Sequence, residues 1–272
     1  MRYAVFILLL YFMSFKVNLM AQSNGVVTYQ VVGRFKMMHF YQLYFDKDRS
    51  MYVANRGSKK AVSKVGNPKS ITDTLSISDK EFGEAMYSNK KIATYYYDEE
   101  GDVVYKDFLK NQCIFREINE RSPLLIEEPK LPMHNWKLID STKKIGKFNC
   151  AYAKTIFRGR EYEAWYTTEI PISNGPWKLH GLPGLILEAN TADGFFHCNF
   201  VEIKIPLDDV NVIKPPTTGL KTTLLNFQNE SEKIATEKIR SSNAREQSRG
   251  TNVTVSRKPS PYQELNYDDI KK

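Results

Sequence analysis

The sequence predicts a mainly β protein, a curved antiparallel sheet or half-barrel with added helices. Three observations predict it. Apolar and aromatic residues alternate with polar ones at period two, as in Phe148, Cys150, Tyr152 and Ile156. Short turns rich in glycine and aspartate separate such runs, as at 98–102, 158–160 and 193–194. Strand follows strand with no helical period between, which argues for a meander and against alternating βαβ units.

Residues 1–21 stand apart from that pattern. After Arg2, residues 3–13 are an unbroken apolar run of signal-peptide length, too short to span a bilayer comfortably. Small Ala21 then suits the position before a cleavage, with Leu19 acceptable two places earlier, so the expectation is a signal peptide of residues 1–21. An uncleaved anchor is the alternative. Lys16 and Asn18, which cut the run short, argue against it. No cysteine lies near the cut, which disfavours a lipid anchor. The expected location is therefore the periplasm or cell envelope, and with no second long apolar segment the mature chain is expected to be soluble without a transmembrane segment.

A β-rich domain is expected over 22–216. Residues 25–32 read as its first strand, and 40–45 with 49–54 as a hairpin turning at 46–48. The polar stretch 55–73 reads as a long loop. A second hairpin is expected from 92–97 and 103–109, followed by a strand at 113–118. Three prolines within 123–132 predict an extended connection with no regular element. Beyond Trp136 the period-two pattern runs to Ile156, turns at Arg158-Gly159-Arg160, returns over 162–167, resumes after Pro183-Gly184, turns at Asp193-Gly194 and continues to Ile205. In 217–240, Leu220, Leu224, Leu225, Phe227, Ile234 and Ile239 predict an amphipathic helix, and the remainder to 272 reads as a polar, irregular tail.

Composition excludes some functions. The formal net charge of +8 is spread along the chain, and a dense basic run is absent, so nucleic acid is not an expected partner. Cys113, Cys150 and Cys198 form no C-x-x-C pair, which removes the commonest metal and thiol-exchange signatures. All three read best as small buried residues. If one pair forms in an oxidising compartment, Cys150 with Cys198 is the choice, since both sit in strong strand patterns. No nucleophile elbow, zincin helix, phosphate loop or calcium loop is present, so no catalytic residue, metal site or cofactor is assigned.

Four histidines bound any imidazole chemistry: His39, His134, His180 and His197. His197 and Cys198 point to opposite faces of one strand and make no dyad. His180 reads best as a turn residue bonded to a nearby carbonyl, with no second ligand at a recognisable spacing. Glu188 interrupts an apolar strand. On a solvated face it needs no partner, and if buried it needs one such as Arg160 or Lys178. Tyr95, Tyr96, Tyr97, Tyr105 and Tyr152 read as ordinary strand residues, or alternatively as the lining of a concave face for an amphipathic ligand.

The most distinctive stretch is 164–189, which contains Gly175-Pro176-Trp177 and Gly181-Leu182-Pro183-Gly184-Leu185-Ile186. It resembles the signature of the GLPGLI family, supported upstream by Lys144-Ile145-Gly146, Phe148, Cys150, Phe157, Gly159 and Arg160. The resemblance implies an exported protein of Bacteroidota and related bacteria, of unassigned biochemical function, and it brings no catalytic residues. Physically, Leu182-Pro183-Gly184-Leu185 has the composition of a type II turn, with glycine at the position that needs positive φ. Trp165 and Trp177 are large enough to pack across the corner between the two Gly/Pro bends. The motif thus reads first as a folding device, and second as a ligand loop in which Trp165, Trp177, His180, Arg160 and Glu188 are the candidates. Three functions remain open: a non-catalytic binding or accessory protein taking a hydrophobic or peptide ligand or an envelope protein partner, an exported hydrolase using His180 with a nearby carboxylate or thiol, and a structural envelope component.

Overall fold

In a computed structural model of the chain, residues 24–33, 38–54, 58–63, 93–118 and 123–248 are described. The predicted signal peptide, residues 55–57 and 64–73 of the expected loop and the end of the C-terminal tail lie outside these residues.

Alternating β-branched and aromatic residues build fourteen strands among the described residues. They are β1 (Gly25–Gly33), β2 (Met38–Phe45), β3 (Arg49–Ala54), β4 (Ser58–Ser63), β5 (Ala93–Asp98), β6 (Asp102–Asp107), β7 (Gln112–Ile118), β8 (Pro123–Glu128), β9 (Lys137–Ile145), β10 (Phe148–Phe157), β11 (Arg160–Thr167), β12 (Leu185–Thr191), β13 (Phe196–Lys204) and β14 (Leu220–Thr223). One helix, α1 (Leu224–Ser248), follows. Twelve strands form one open mixed sheet in the order β14-β8-β7-β6-β3-β2-β1-β13-β12-β11-β10-β9, while β4 and β5 pair separately. The predicted mainly β class is therefore what the chain forms. Every pair in the large sheet is antiparallel except β14 with β8.

The strand order dictates a strong curl. In a flat sheet β8 and β9 would lie ten spacings of about 4.8 Å apart, or about 48 Å. The nine residue steps from Glu128 to Lys137 reach about 30 Å at full extension. The sheet must bend until its two ends approach. Contacts confirm it: the Glu128 carboxylate at the end of β8 meets the Arg158 guanidinium, in the turn after β10, at 2.7 Å.

The core lies inside this curl, where Val27, Tyr29, Leu43, Ile126, Ala153, Tyr162, Leu185, Ile186 and Cys198 are all but inaccessible. A smaller cluster of Met51, Val53, Val103, Tyr105 and Ile213 covers the outer side of β3 and β6. Phe227 of α1 packs edge-on to Phe115 at 5.6 Å, so the first turns of the helix seat on the sheet.

Several expectations need correction. Residues 123–128 form strand β8, because Pro123 occupies its first position, where no ladder hydrogen bond is lost, and the other two prolines lie past its end. Residues 58–63 form a strand within the expected loop, paired with β5. Consequently β5 and β6 are not a hairpin: β6 pairs with β3 and β7. The helix begins at Leu224 and continues to Ser248, and Leu220 belongs to a short strand before it. Among the described residues no helix is long and apolar enough to cross a membrane.

Candidate functional site

The loop of residues 168–184 between β11 and β12 contains the distinctive motif, and it is tucked inside the curl. Leu179 and Leu182 are buried to 0% and 2% exposure, and Asn174 and Lys178 to 0% and 1%. Its path is held by main-chain bonds: Asn174 N–H to Ile172 O at 2.7 Å, Leu185 N–H to Ile170 O at 3.1 Å and Ile186 N–H to Asn174 O at 2.9 Å. Where β12 is bulged against β11, between Glu188 and Ile186, the Tyr29 hydroxyl donates to the Ile186 carbonyl at 2.6 Å. That bond reaches a carbonyl deep in the core.

The expected type II turn at Gly184 is not what the glycine provides. Gly184 does not have positive φ; Gly181 does, at 96°. A Cβ at Gly184 would stand 2.1 Å from the Thr167 carbonyl oxygen, so glycine is required there by close approach of two backbones.

Beneath the loop lies a buried charged cluster. The Lys106 amine on β6 donates to the carbonyls of Gly175 at 3.0 Å and Leu179 at 3.2 Å. Glu128 on β8 pairs with Arg158 and with Lys178 of the loop itself. The Lys178 ammonium also lies over the Phe115 ring at 4.1 Å from its centroid. Burial pushes the Lys106 amine down to about 7. Burial alone would raise the Glu128 carboxyl, but the cations of Lys178 and Arg158 overcome it and hold the group below its ordinary range. Strands β6, β7 and β8, the turn after β10 and the loop are thus tied at one polar knot.

A second tie joins the loop to residues 132–136, the connection into β9. His134 Nε2 lies 3.0 Å from the Lys178 carbonyl, and Trp136 Nε1 donates to the His180 carbonyl at 2.7 Å. His180 bonds back to the backbone of Pro132, which has only a carbonyl to offer. The two imidazoles lie against one another with ring centroids 5.2 Å apart. His134 falls to about 4, chiefly through burial, and His180 to about 3, through burial and then the Lys106 charge, so both are neutral at physiological pH.

The other candidate residues go elsewhere. Trp165 alternates with buried Ala164 and Tyr166 and so faces the opposite side of the sheet, 4.7 Å from the Tyr152 ring and beneath the Lys143 ammonium. Trp177 lies inside, stacked at 5.9 Å on Tyr162. The two tryptophans do not share a corner. Glu188 is half-buried on the outer face and pairs with Lys143 of β9, with neither Arg160 nor Lys178 as its partner. Arg160 pairs with Asp193 and covers the Phe195 ring. His197 contacts Asn190 on the outer face. Tyr105 is buried, and the side chains of Tyr95, Tyr96 and Tyr97 lie outside the described set.

All three cysteines are free and buried, and the Cys150–Cys198 bridge does not form. Cys198 is opposite Ala189, which is opposite Ala164, which is opposite Ala153. Cys150 therefore lies three strands away, about 14 Å across the strands, and three residues further along β10, where a disulfide needs Cα atoms within about 7 Å.

Sequence reasoning missed Lys106, Glu128, Arg158 and Lys178 as a unit. One signal was present. Lys106 closes the run Val103-Val104-Tyr105, and a lysine there has no solvated side unless the strand is at an edge.

A family model described as "Protein of unknown function (Porph_ging)" matches residues 153–188, a stretch that spans β11 and the buried loop. No curated protein matches the chain. Among solved structures, PNGF-II in a C2 crystal form is 16% identical with a TM-score of 0.47, and the match covers 76% of this chain and 32% of that one. The P21 form is 15% identical, with the same coverage and score. This chain thus spans about a third of PNGF-II. An uncharacterized conserved protein from Thermus thermophilus is 9% identical with a TM-score of 0.38, covering 78% of this chain and 98% of that one. Likenesses at these scores carry no argument about function. Over residues 153–188, then, the chain is similar to a family of unknown function.

Proposed function

We propose that the chain is an exported binding or accessory protein of the periplasm or cell envelope that acts without catalysis. The observation that carries the non-catalytic reading is the state of His180. One of its ring nitrogens is bonded to a main-chain carbonyl and the other, Nε2, meets no hydrogen-bond partner, so neither a carboxylate nor a thiol orients it as a base. Glu128 is held by two cations, and Glu188 is paired on another face. A partner of peptide or protein kind is supported by β9, the last strand of the open sheet, whose outer row of backbone groups pairs with no strand among the described residues. Native mass spectrometry of the full-length gene product taken from its own envelope tests the reading. The expected result is a chain lacking residues 1–21 with a copurifying peptide, lipid or protein. Full-length chain retained in the cytoplasm overturns export, and ester or amide hydrolysis abolished by His180→Ala overturns the non-catalytic reading.

A further inference from the structure

The free side of β9 carries a charge pattern that the sheet itself does not use. Ile145 and Phe148 flank the two-residue turn Gly146-Lys147, in which Gly146 has a φ of 56°, and form the bonded pair that closes the hairpin. Bonded and unbonded pairs alternate along an antiparallel ladder, so the amides and carbonyls of Lys144 and Thr142 point away from β10. They meet no strand among the described residues. Further along, Asp140 and Ser141 are extra residues against β10, since Thr142 lies opposite Ala151 and Ile139 opposite Tyr152. This bulge leaves residues 142–145 as the regular run beside the turn.

The charge around that run is positive. Lys137, Lys144 and Lys147 are exposed and make no ion pair among the described residues, and Asp140 is the one acid in the strand. The acids that reach this edge are engaged: Glu188 by Lys143, and Glu169 by the amide and side chain of Asn149, the residue opposite Lys144. Lysines on an edge strand discourage pairing with a like chain. A second copy laid antiparallel over residues 142–144 would set Lys143 against its own equivalent, with Lys144 of each copy beside it, and like charges across a ladder repel. The same lysines attract an acidic strand, whose side chain opposite Lys144 lies on the same face as the ammonium.

We propose that the free edge of β9 binds an extended acidic segment of a partner polypeptide. The segment adds as a strand beside residues 142–145 through the outward amides and carbonyls of Thr142 and Lys144, and its carboxylates meet Lys144 and Lys147. Main-chain bonds of this kind hold any extended chain, so the lysines supply the selection. The inference rests on the accessory-protein reading for the kind of partner and goes beyond it in the partner's charge and in the atoms that hold it.

The probe is a fluorescein-labelled peptide of about eight residues, alternating glutamate and threonine, titrated with the full chain at low ionic strength and read by anisotropy. Binding is expected, at least about tenfold tighter than for the same peptide with lysine in place of glutamate, and weakened by salt. Thr142→Pro removes an outward amide proton and leaves the β10 ladder intact, while Lys144→Glu reverses a contact charge. Each should weaken binding at least about tenfold, and Lys214→Glu, the same charge change at an exposed site outside the edge, should alter it little. Absence of binding to the wild type overturns the proposal. Equal binding of the two peptides, or an equal loss in Lys144→Glu and Lys214→Glu, shows attraction to net charge only and overturns it too. Should Thr142→Pro fail to fold, amide exchange of the wild-type chain decides the matter: saturating peptide must slow the amides of Thr142 and Lys144, and slowing confined to other amides contradicts the proposal. These failures concern the edge alone, whereas the accessory-protein reading fails on cytoplasmic retention or on hydrolysis that depends on His180.

Discussion

Gly184 and Gly181 lie in the same short motif and are needed for different physical reasons. At Gly184 the obstacle to a side chain is the Thr167 backbone, which cannot move aside without breaking the start of β12. At Gly181 it is a φ of 96°, with Trp136 the nearest side chain at an ordinary 3.6 Å. Gly184→Ala is therefore expected to cost about 3 kcal/mol or more by overpacking, and Gly181→Ala about 1–2 kcal/mol. Chemical denaturation of the two variants checks the order, and a milder effect at Gly184 contradicts the close-approach account. Glu128 offers a sharper case. Glu128→Gln leaves Arg158 and Lys178 buried without their carboxylate, and a loss of about 3–5 kcal/mol is expected in the same measurement. A loss near zero shows that the knot is dispensable. Beyond the signal at Lys106, the charged knot was not legible in the sequence, because a charged residue is read as surface until the partner that neutralises it is known, and these partners lie far from one another along the chain.

At the scale of elements, the C-terminal segment depends on one carboxylate. Glu100, in the turn before β6, accepts from the Thr217 amide and hydroxyl at 3.0 and 2.7 Å, and from those of Thr218 at 3.0 and 2.6 Å. Arg116 completes the clamp by donating to the Thr218 carbonyl at 2.8 Å. Burial opposes ionisation of Glu100, but the bonds from Thr218 and Thr217 outweigh it and draw the carboxyl down to about 2 from an ordinary 4.5. A depressed carboxyl contributes fully above its unfolded value and loses that contribution as pH falls towards the folded one. Wild type should thus melt above Glu100→Gln near neutral pH, with the gap closing between pH 4.5 and about 2. A gap that does not change with pH contradicts the clamp. Much of the element order was readable: the meander from β9 to β13 follows its period-two pattern and its turns, and Arg158 and Gly159 take the positive φ values of 43° and 84° that a tight hairpin demands. What hid was pairing. Local pattern marks β6 as a strand but not that β3 lies beside it, and prolines at both ends of β8 concealed a strand whose interior is ordinary.

For the whole molecule, the curl and the motif are one problem. A sheet whose eighth and ninth strands must meet leaves an interior that needs filling, and the loop of residues 168–184 fills it with Leu179, Leu182 and Trp177 while Lys106, Glu128, His134 and Trp136 fasten it from β6, β8 and the connection into β9. Fully burying each such leucine is worth about 1.5–3 kcal/mol, which a loop held open for a ligand would forgo. We propose from this placement that the motif is a folding device. Hydrogen exchange of the full-length chain tests it most directly. The amides of Leu179, Leu185 and Ile186, each bonded within the loop or to it, should exchange as slowly as those of β10 to β12. Exchange of these amides at the rate of an open surface loop, with β10 to β12 still protected, would contradict the account.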